Sequence, residues 1–193
     1  MRDIEIDLAG NRFVIIGEQG PLRHALATAL RQNGGASADT IAADLVIALY
    51  PLQPEDGPVP DLLPDLREHG QRMAAGSGGR LIMVISALAS VPARRHPDYS
   101  AQMAFAWAGM RGLSMTLAPK VLVNAVGVGL VEDEGALLAG DRIMLGHAGL
   151  PRPGSVAEVV NAVLFLSDPA NTYTTGQLLN VDGGWTVGYG RNF

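Results

Sequence analysis

Two hydroxyl side chains, Ser86 and Tyr99, stand thirteen residues apart in positions that could support proton-transfer chemistry. Ser86 follows an apolar run typical of a buried strand, and Tyr99 opens an alanine- and methionine-rich segment with helical character. The two hydroxyls could hold a carbonyl oxygen or an anion, and a tyrosine can also pass a proton. The pair is the first candidate for a catalytic site. The alternative is that both are ordinary core or loop residues.

The candidate tyrosine lacks the cation that this chemistry requires. An unperturbed tyrosine has a pKa of about 10, so acid–base work near neutral pH needs a nearby positive charge. The single lysine, Lys120, lies 21 residues beyond the tyrosine, which is about 30 Å along a continuous helix. We expect Lys120 to be too far away to act.

Composition argues against several classes of partner. The chain has 193 residues and a net charge of −5, and its longest basic run is Arg94-Arg95. Nucleic acid and anionic membrane are therefore not expected as partners. No apolar run approaches the ~20 residues of a membrane span, and the acidic N-terminal segment does not resemble a signal peptide. With no cysteine, a reducing compartment is allowed, and we expect a cytoplasmic protein.

No metal centre is expected from the sequence. Thiolate ligands are absent, and the histidines do not follow a ligand spacing. They are His24, His69, His96 and His147. His96, three residues before Tyr99, could reach a shared pocket, but a surface loop position is the simpler interpretation.

The order of apolar runs predicts alternating strands and helices. Residues 13–16 form a continuous apolar run that ends at Gly17, and Pro21 then opens a helical pattern, as in nucleotide-binding units. Further strands are predicted at residues 43–49, 80–85, 120–126 and 177–182, and helices at 66–75, 99–116 and after Ser155, which begins a capping box. Residues 127–153 read as a loop region with a short helix near 134–139.

Several motifs resemble the short-chain dehydrogenase/reductase family. The resemblance covers residues 80–185 with few gaps and includes GGRLIMVIS, the tyrosine helix, LAPKVLVNAVGVGLV and TGQLLNVDGGW. The chain is identified as a truncated, divergent member, and the resemblance implies a single α/β domain over residues 1–193. Its fold would be a shortened Rossmann-like, doubly wound parallel sheet of about five strands with helices on both faces. Family members use nicotinamide cofactors and form dimers or tetramers through the tyrosine helix and the C-terminal helix and strand.

The resemblance also assigns roles to single residues. Tyr99 takes the place of the tyrosine that passes a proton to or from the substrate oxygen, and Ser86 the place of the serine that holds this oxygen. The family lysine, which lowers the tyrosine pKa and binds the nicotinamide ribose, is replaced by Met103. Ser86 and Tyr99 are therefore interpreted as a remnant catalytic pair.

The cofactor features of the family are damaged in two further places. Residues 16–27 resemble its glycine motif, but only Gly17 keeps its glycine, while Pro21 and Arg23 replace the other two. Proline has no N–H for a pyrophosphate, although Arg23 could bind a phosphate from the side. A deletion near residues 34–43 removes the strands that carry the adenosine pocket. We therefore expect no cofactor, with Gly17 as a weak remnant of its site.

The deletion raises a question of topology. A direct connection from the first strand through its helix to the second strand would have the rare left-handed sense. Either the helix has changed face, or residues 36–40 keep a stub of extended chain. The first strand could otherwise become an exposed apolar edge.

Three functions remain open from the sequence, and whether the chain is an enzyme is undecided. The first is a catalytically silent subunit that forms a homo-oligomer or pairs with an intact dehydrogenase of the family. The second is an oxidoreductase on a small carbonyl or alcohol substrate, with a remodelled NAD or NADP site. The third is a cofactor-free site in which Ser86 and Tyr99 hold a small ligand.

Overall fold

The computed structural model describes residues 6–39, 42–54 and 57–188. In chain order, the elements are β1 (Arg12–Gly17), α1 (Pro21–Gln32), β2 (Ala36–Ser37), β3 (Leu45–Leu49), α2 (Leu63–Ala75), β4 (Gly79–Ser86), α3 (Pro97–Leu117), β5 (Val121–Val128), β6 (Val131–Asp133), β7 (Ala136–Ala139), α4 (Val156–Ser167) and β8 (Leu178–Val181). Six strands form one parallel sheet in the order β2-β1-β3-β4-β5-β8.

The sheet is covered on both faces, which confirms the predicted doubly wound fold. Every residue of β3 is buried, as expected for a parallel strand between two helical layers. Its side chains alternate between two apolar clusters. Val46 and Ala48 pack with α2 and α3, whereas Leu45, Ile47 and Leu49 pack with α1 and α4. The expected strand number of about five becomes six because the short strand β2 is present.

The strand β2 resolves the question of topology. Its residues pair in parallel with Arg12 and Phe13 of β1, and the next N–H, of Ala38, donates to the Phe13 carbonyl at 2.9 Å. Helix α1 therefore leads outward to β2 and does not connect β1 directly to β3. The predicted stub of extended chain is confirmed over Ala36–Ser37, while its expected last residue, Thr40, lies outside the described residues.

An arginine covers part of the sheet edge that β2 leaves open. The Arg23 guanidinium donates to the carbonyl oxygen of Ile15, on the outer side of β1, and also reaches the Glu18 carbonyl at 3.5 Å. Unpaired backbone groups on an edge strand favour association with other strands. Arg23 satisfies one of these groups, so its guanidinium is engaged by backbone rather than directed at a phosphate.

The predicted short helix at residues 134–139 is wrong. Strands β6 and β7 form an antiparallel hairpin there, joined at Glu134 and Gly135, whose φ angles are 48° and 81°. Two successive residues with positive φ are typical of a tight hairpin turn and cannot begin a right-handed helix. The hairpin is tied to the loop after β3: Gly140 N–H donates to the Leu52 carbonyl at 3.0 Å.

Helix α4 begins with the predicted capping box. The Ser155 hydroxyl accepts from the Glu158 N–H at 3.3 Å, and the Glu158 carboxylate accepts from the Ser155 N–H at 2.8 Å. The Arg152 guanidinium, followed by the Ser155 N–H, lowers the pKa of Glu158 to about 2. No helix within the described residues is long and apolar enough to cross a membrane.

Candidate functional site

Ser86 ends the central strand β4 and is fully buried. Its hydroxyl oxygen accepts from the Leu88 N–H at 3.2 Å, which caps the 3₁₀ turn Ala87–Ala89. This turn packs against α3. The hydroxyl oxygen therefore stabilises the start of its own loop.

Tyr99 lies in the first turn of α3 and is only 4% exposed. Its hydroxyl donates to the backbone carbonyl of Pro51 at 2.7 Å. Pro51 belongs to the loop after β3, which is 48 residues away in sequence. The proton that a catalytic tyrosine would share with a substrate thus joins α3 to this loop.

Met103 lies one turn further along α3 with no exposed surface. It belongs to the same apolar cluster as Tyr99, Leu63 and Tyr50, between α3, α2 and the sheet. A thioether suits this environment because it fills space without needing a hydrogen-bond partner. The position of the family lysine has become part of the hydrophobic core.

The turn at Gly17 does not fit a pyrophosphate group. Gly17 has a φ of +88°, and a Cβ at this position would lie 2.2 Å from the Leu49 carbonyl oxygen and 2.8 Å from a methyl group of Leu62. The Leu62 side chain therefore packs over the glycine that would receive the phosphates. The N–H of Glu18 donates to the Leu49 carbonyl, and Pro21 has no N–H to offer.

The crevice beyond β1 and β3 is small and lined by residues that disfavour a dinucleotide. In open α/β sheets, ligands bind at such a point, outside the carboxyl ends of the strands. Here a pocket of about 310 Å³ remains, lined by Glu18 at the turn and by Leu52 and Leu138 from the loop and the hairpin. A carboxylate beside the expected pyrophosphate would repel it. The residues present do not fit a nicotinamide dinucleotide.

Sequence reasoning missed the groups that occupy the site. Pro51, Leu62 and Leu138 come from the loop after β3 and from the hairpin, neither of which has a periodic pattern. Tyr50, which follows β3 directly, is fully buried. Among the residues described, no group of three acidic or histidine side chains could hold a metal ion.

Replacing Tyr99 by phenylalanine should destabilise the fold. The variant would remove the hydroxyl and leave the Pro51 carbonyl without this donor, so the free energy of unfolding should fall by about 1–2 kcal/mol. Urea denaturation would measure the loss. The matched control is Tyr173→Phe, since Tyr173 is fully exposed. Equal stability of the two variants would contradict a structural role for the Tyr99 hydroxyl.

A family model and several curated proteins match this chain over more than half of its length. A family model described as enoyl-(acyl carrier protein) reductase matches residues 66–186. Galactitol 2-dehydrogenase (L-tagatose-forming) of Cereibacter sphaeroides is 31% identical over 131 residues, which are 63% of this chain and 51% of the relative. The 3-oxoacyl-[acyl-carrier-protein] reductase FabG of Aquifex aeolicus is 31% identical over 118 residues, 59% of this chain and 48% of the relative. The chain spans about half the length of these curated relatives.

Solved structures support the same fold. A short-chain type dehydrogenase/reductase from Mycobacterium ulcerans has a TM-score of 0.75 at 17% identity, over 96% of this chain and 93% of that one. A 7α-hydroxysteroid dehydrogenase, solved with NADH and 7-oxo glycochenodeoxycholic acid, has a TM-score of 0.72 at 18% identity, over 93% of this chain and 96% of that one. At these identities the likeness concerns the fold.

Proposed function

The chain belongs to the short-chain dehydrogenase/reductase family, and from this premise we propose that it has no NAD(P)-dependent activity of its own. In this proposal it acts as an oligomerising subunit, structural or regulatory, in the cytoplasm. The observation that carries the proposal is the Tyr99 hydroxyl, which donates to the Pro51 carbonyl while Met103 fills the position of the cation. A reacting oxygen would have to displace this backbone partner.

The alternative is an oxidoreductase with a remodelled cofactor site. It is favoured by the matched relatives, which are named as dehydrogenases and reductases. Against it stand Leu62, which covers Gly17, and Glu18, which lines the crevice. A cofactor-free ligand site at Ser86 and Tyr99 is less well supported, because both side chains are buried and the Tyr99 hydroxyl already donates to the backbone.

An exposed apolar stripe on α3 supports the assembly role. We define the α3 stripe as the exposed residues that recur every four and three positions: Ala101, Phe105, Ala108, Gly112 and Met115. Within one chain this stripe faces outward. Phe105 is 60% exposed and Met115 is 82% exposed. Small residues between the two large ones allow a second helix to approach closely, in the spacing of helix–helix seams.

We propose that a second copy of this chain covers the α3 stripe. The stripe carries no charge, so the same surface can face itself across a twofold axis without repulsion. An intact dehydrogenase of the family is the other candidate for this surface. A further exposed apolar pair, Phe165 on α4 and Leu179 on the edge strand β8, offers a second contact for a tetramer.

A charge placed in the α3 stripe should dissociate the assembly. We expect the wild-type chain to have the mass of a dimer or tetramer in solution. The variant Phe105→Glu should reduce dimers to monomers, or tetramers to dimers, because two carboxylates would be desolvated at the seam. Light scattering after size-exclusion chromatography measures this. The control Tyr173→Glu changes an exposed aromatic residue outside the stripe and should keep the wild-type mass.

Two results would count against the homo-oligomer. One is a monomeric wild-type chain at concentrations of about 100 µM, well above the micromolar dissociation constants of ordinary associations. The other is an unchanged mass for Phe105→Glu. If the wild-type chain is a monomer but forms a mixed assembly with an intact dehydrogenase of the family, that dehydrogenase, and not a second copy of the chain, covers the α3 stripe.

A further inference from the structure

A surface pocket beside the first turn of α3 carries positive charge, in a chain whose net charge is −5. It has a volume of about 220 Å³ and lies between residues 92–96 and the 3₁₀ helix Arg142–His147. Three of its side chains, Arg94, Arg95 and His147, are basic and exposed. We call it the cationic pocket. It is separate from the α3 stripe and from the crevice beyond β1 and β3.

The two arginines of the cationic pocket form no direct ion pair within the described part of the chain. Neither Arg94 nor Arg95 makes a hydrogen bond or an ion pair with any residue in the part of the chain that the structure describes. Three arginines elsewhere on the surface pair with carboxylates: Arg12 with Asp44, Arg142 with Glu132 and Arg152 with Glu158. Two adjacent unpaired guanidinium groups at one pocket therefore stand out.

The acid that lines the cationic pocket, Asp141, is already engaged. Its carboxylate accepts from the Ile143 N–H at 3.0 Å and contacts the His96 ring at 3.4 Å. These partners hold the pKa of Asp141 below its ordinary value, the Ile143 N–H having the largest effect and Arg95 the smallest. Asp141 thus fixes the loop and the 3₁₀ helix together and does not form an ion pair with the arginines.

The rest of the pocket is apolar. Trp185, which is 4% exposed, and the half-exposed Ile143 line it together with Pro92. Small-molecule sites combine an apolar lining with a few polar groups that fix orientation. Arginines are suited to carboxylates and phosphates because two parallel N–H groups can donate to two oxygens. The pocket offers both features at one place.

We propose that the cationic pocket binds a small molecule that bears one carboxylate or phosphate group on a compact apolar body. The anion contacts Arg94 and Arg95, and the apolar body packs towards Trp185. The ligand is small, since the pocket is below the ~300–1,000 Å³ of drug-sized sites. This inference is independent of the proposed silent subunit and would hold for an active enzyme as well.

The two tryptophans of the chain provide the test. In ¹H–¹⁵N NMR spectra, the indole N–H of Trp185 should shift saturably when benzoate or phenyl phosphate is added, while that of Trp107, which does not line the pocket, should not. Spectra of Trp107→Phe assign the two signals. We expect at least one of the anions to bind with a dissociation constant of about 1 mM or below. Benzyl alcohol, a neutral ring of similar shape, should bind at least about tenfold more weakly.

Matched variants separate specific recognition from general surface charge. The double variant R94Q/R95Q should weaken binding of the anion at least about tenfold. The double variant R67Q/R111Q removes two other arginines without ion pairs among the described residues and should leave binding unchanged. The proposal is overturned if neither anion shifts Trp185 saturably, if benzyl alcohol binds equally well, or if R94Q/R95Q keeps the wild-type affinity. The relative affinities of benzoate and phenyl phosphate show which anion the pocket prefers.

Discussion

Replacing Gly17 by alanine should destabilise the protein by about 3–5 kcal/mol, whether or not a nucleotide is present. Two costs add: a φ of +88° disfavours any residue with a Cβ, and this Cβ would lie 2.2 Å from the Leu49 carbonyl oxygen. Since β1 and β3 are paired along their length, the Leu49 carbonyl cannot retreat without breaking the ladder. The glycine is thus required by packing.

The control for this variant is Gly10→Ala. Gly10 has a similar φ of +80°, but a Cβ there would meet no atom within 4 Å. We expect only the conformational cost, about 1–2 kcal/mol. Chemical denaturation of both variants isolates the effect of the contact with Leu49. If Gly17→Ala were no less stable than Gly10→Ala, the close packing at the turn would be contradicted.

Replacing Met103 by lysine should destabilise the protein by about 4 kcal/mol or more and should create no cofactor-dependent turnover. The side chain has no exposed surface and lies among apolar neighbours, so a charged ammonium group would be buried without a partner. Met103→Leu, which nearly conserves volume, should cost less than about 1.5 kcal/mol. Circular dichroism with urea denaturation measures both values.

The stability of the Met103→Lys variant should depend on pH. Burial lowers the pKa of a lysine in the folded state relative to about 10.4 in the unfolded state. Between these two values the unfolded state binds more protons, so stability rises with pH. The destabilisation should therefore shrink as the pH is raised from 7 towards 10. A stable Met103→Lys variant that oxidises or reduces a substrate with NAD(P) would show that lysine alone was missing.

The main features of the sheet were predictable because local sequence determines them. A parallel strand covered on both faces needs a continuous apolar run, and β3 and β4 have one. The start of α4 was predictable from Ser155 and Glu158, which contact each other within one turn. The deletion was visible as a missing segment, and the rare handedness of a direct crossover left two alternatives, of which the stub of extended chain became β2.

The hydrogen bonds and packing of the candidate site were less predictable, because they depend on contacts between residues distant in sequence. The hydrogen bond from Tyr99 to Pro51 requires the exact path of a loop without periodicity. The hairpin was predicted as a short helix, whereas positive φ angles at Glu134 and Gly135 decide the structure. Sequence identified Ser86, Tyr99 and Met103 as the residues in question, but not the backbone partners of the two hydroxyls.

Titration of the purified chain with NADH and with NADPH, followed by cofactor fluorescence, tests the central claim most directly. Leu62 packs over Gly17, and Glu18 lines the crevice. We therefore predict no saturable change in fluorescence with either cofactor at concentrations up to about 1 mM. Any binding would then have a free energy weaker than about −4 kcal/mol. An intact dehydrogenase of the family serves as the positive control. Saturable binding with a micromolar dissociation constant, about −8 kcal/mol, would contradict the account.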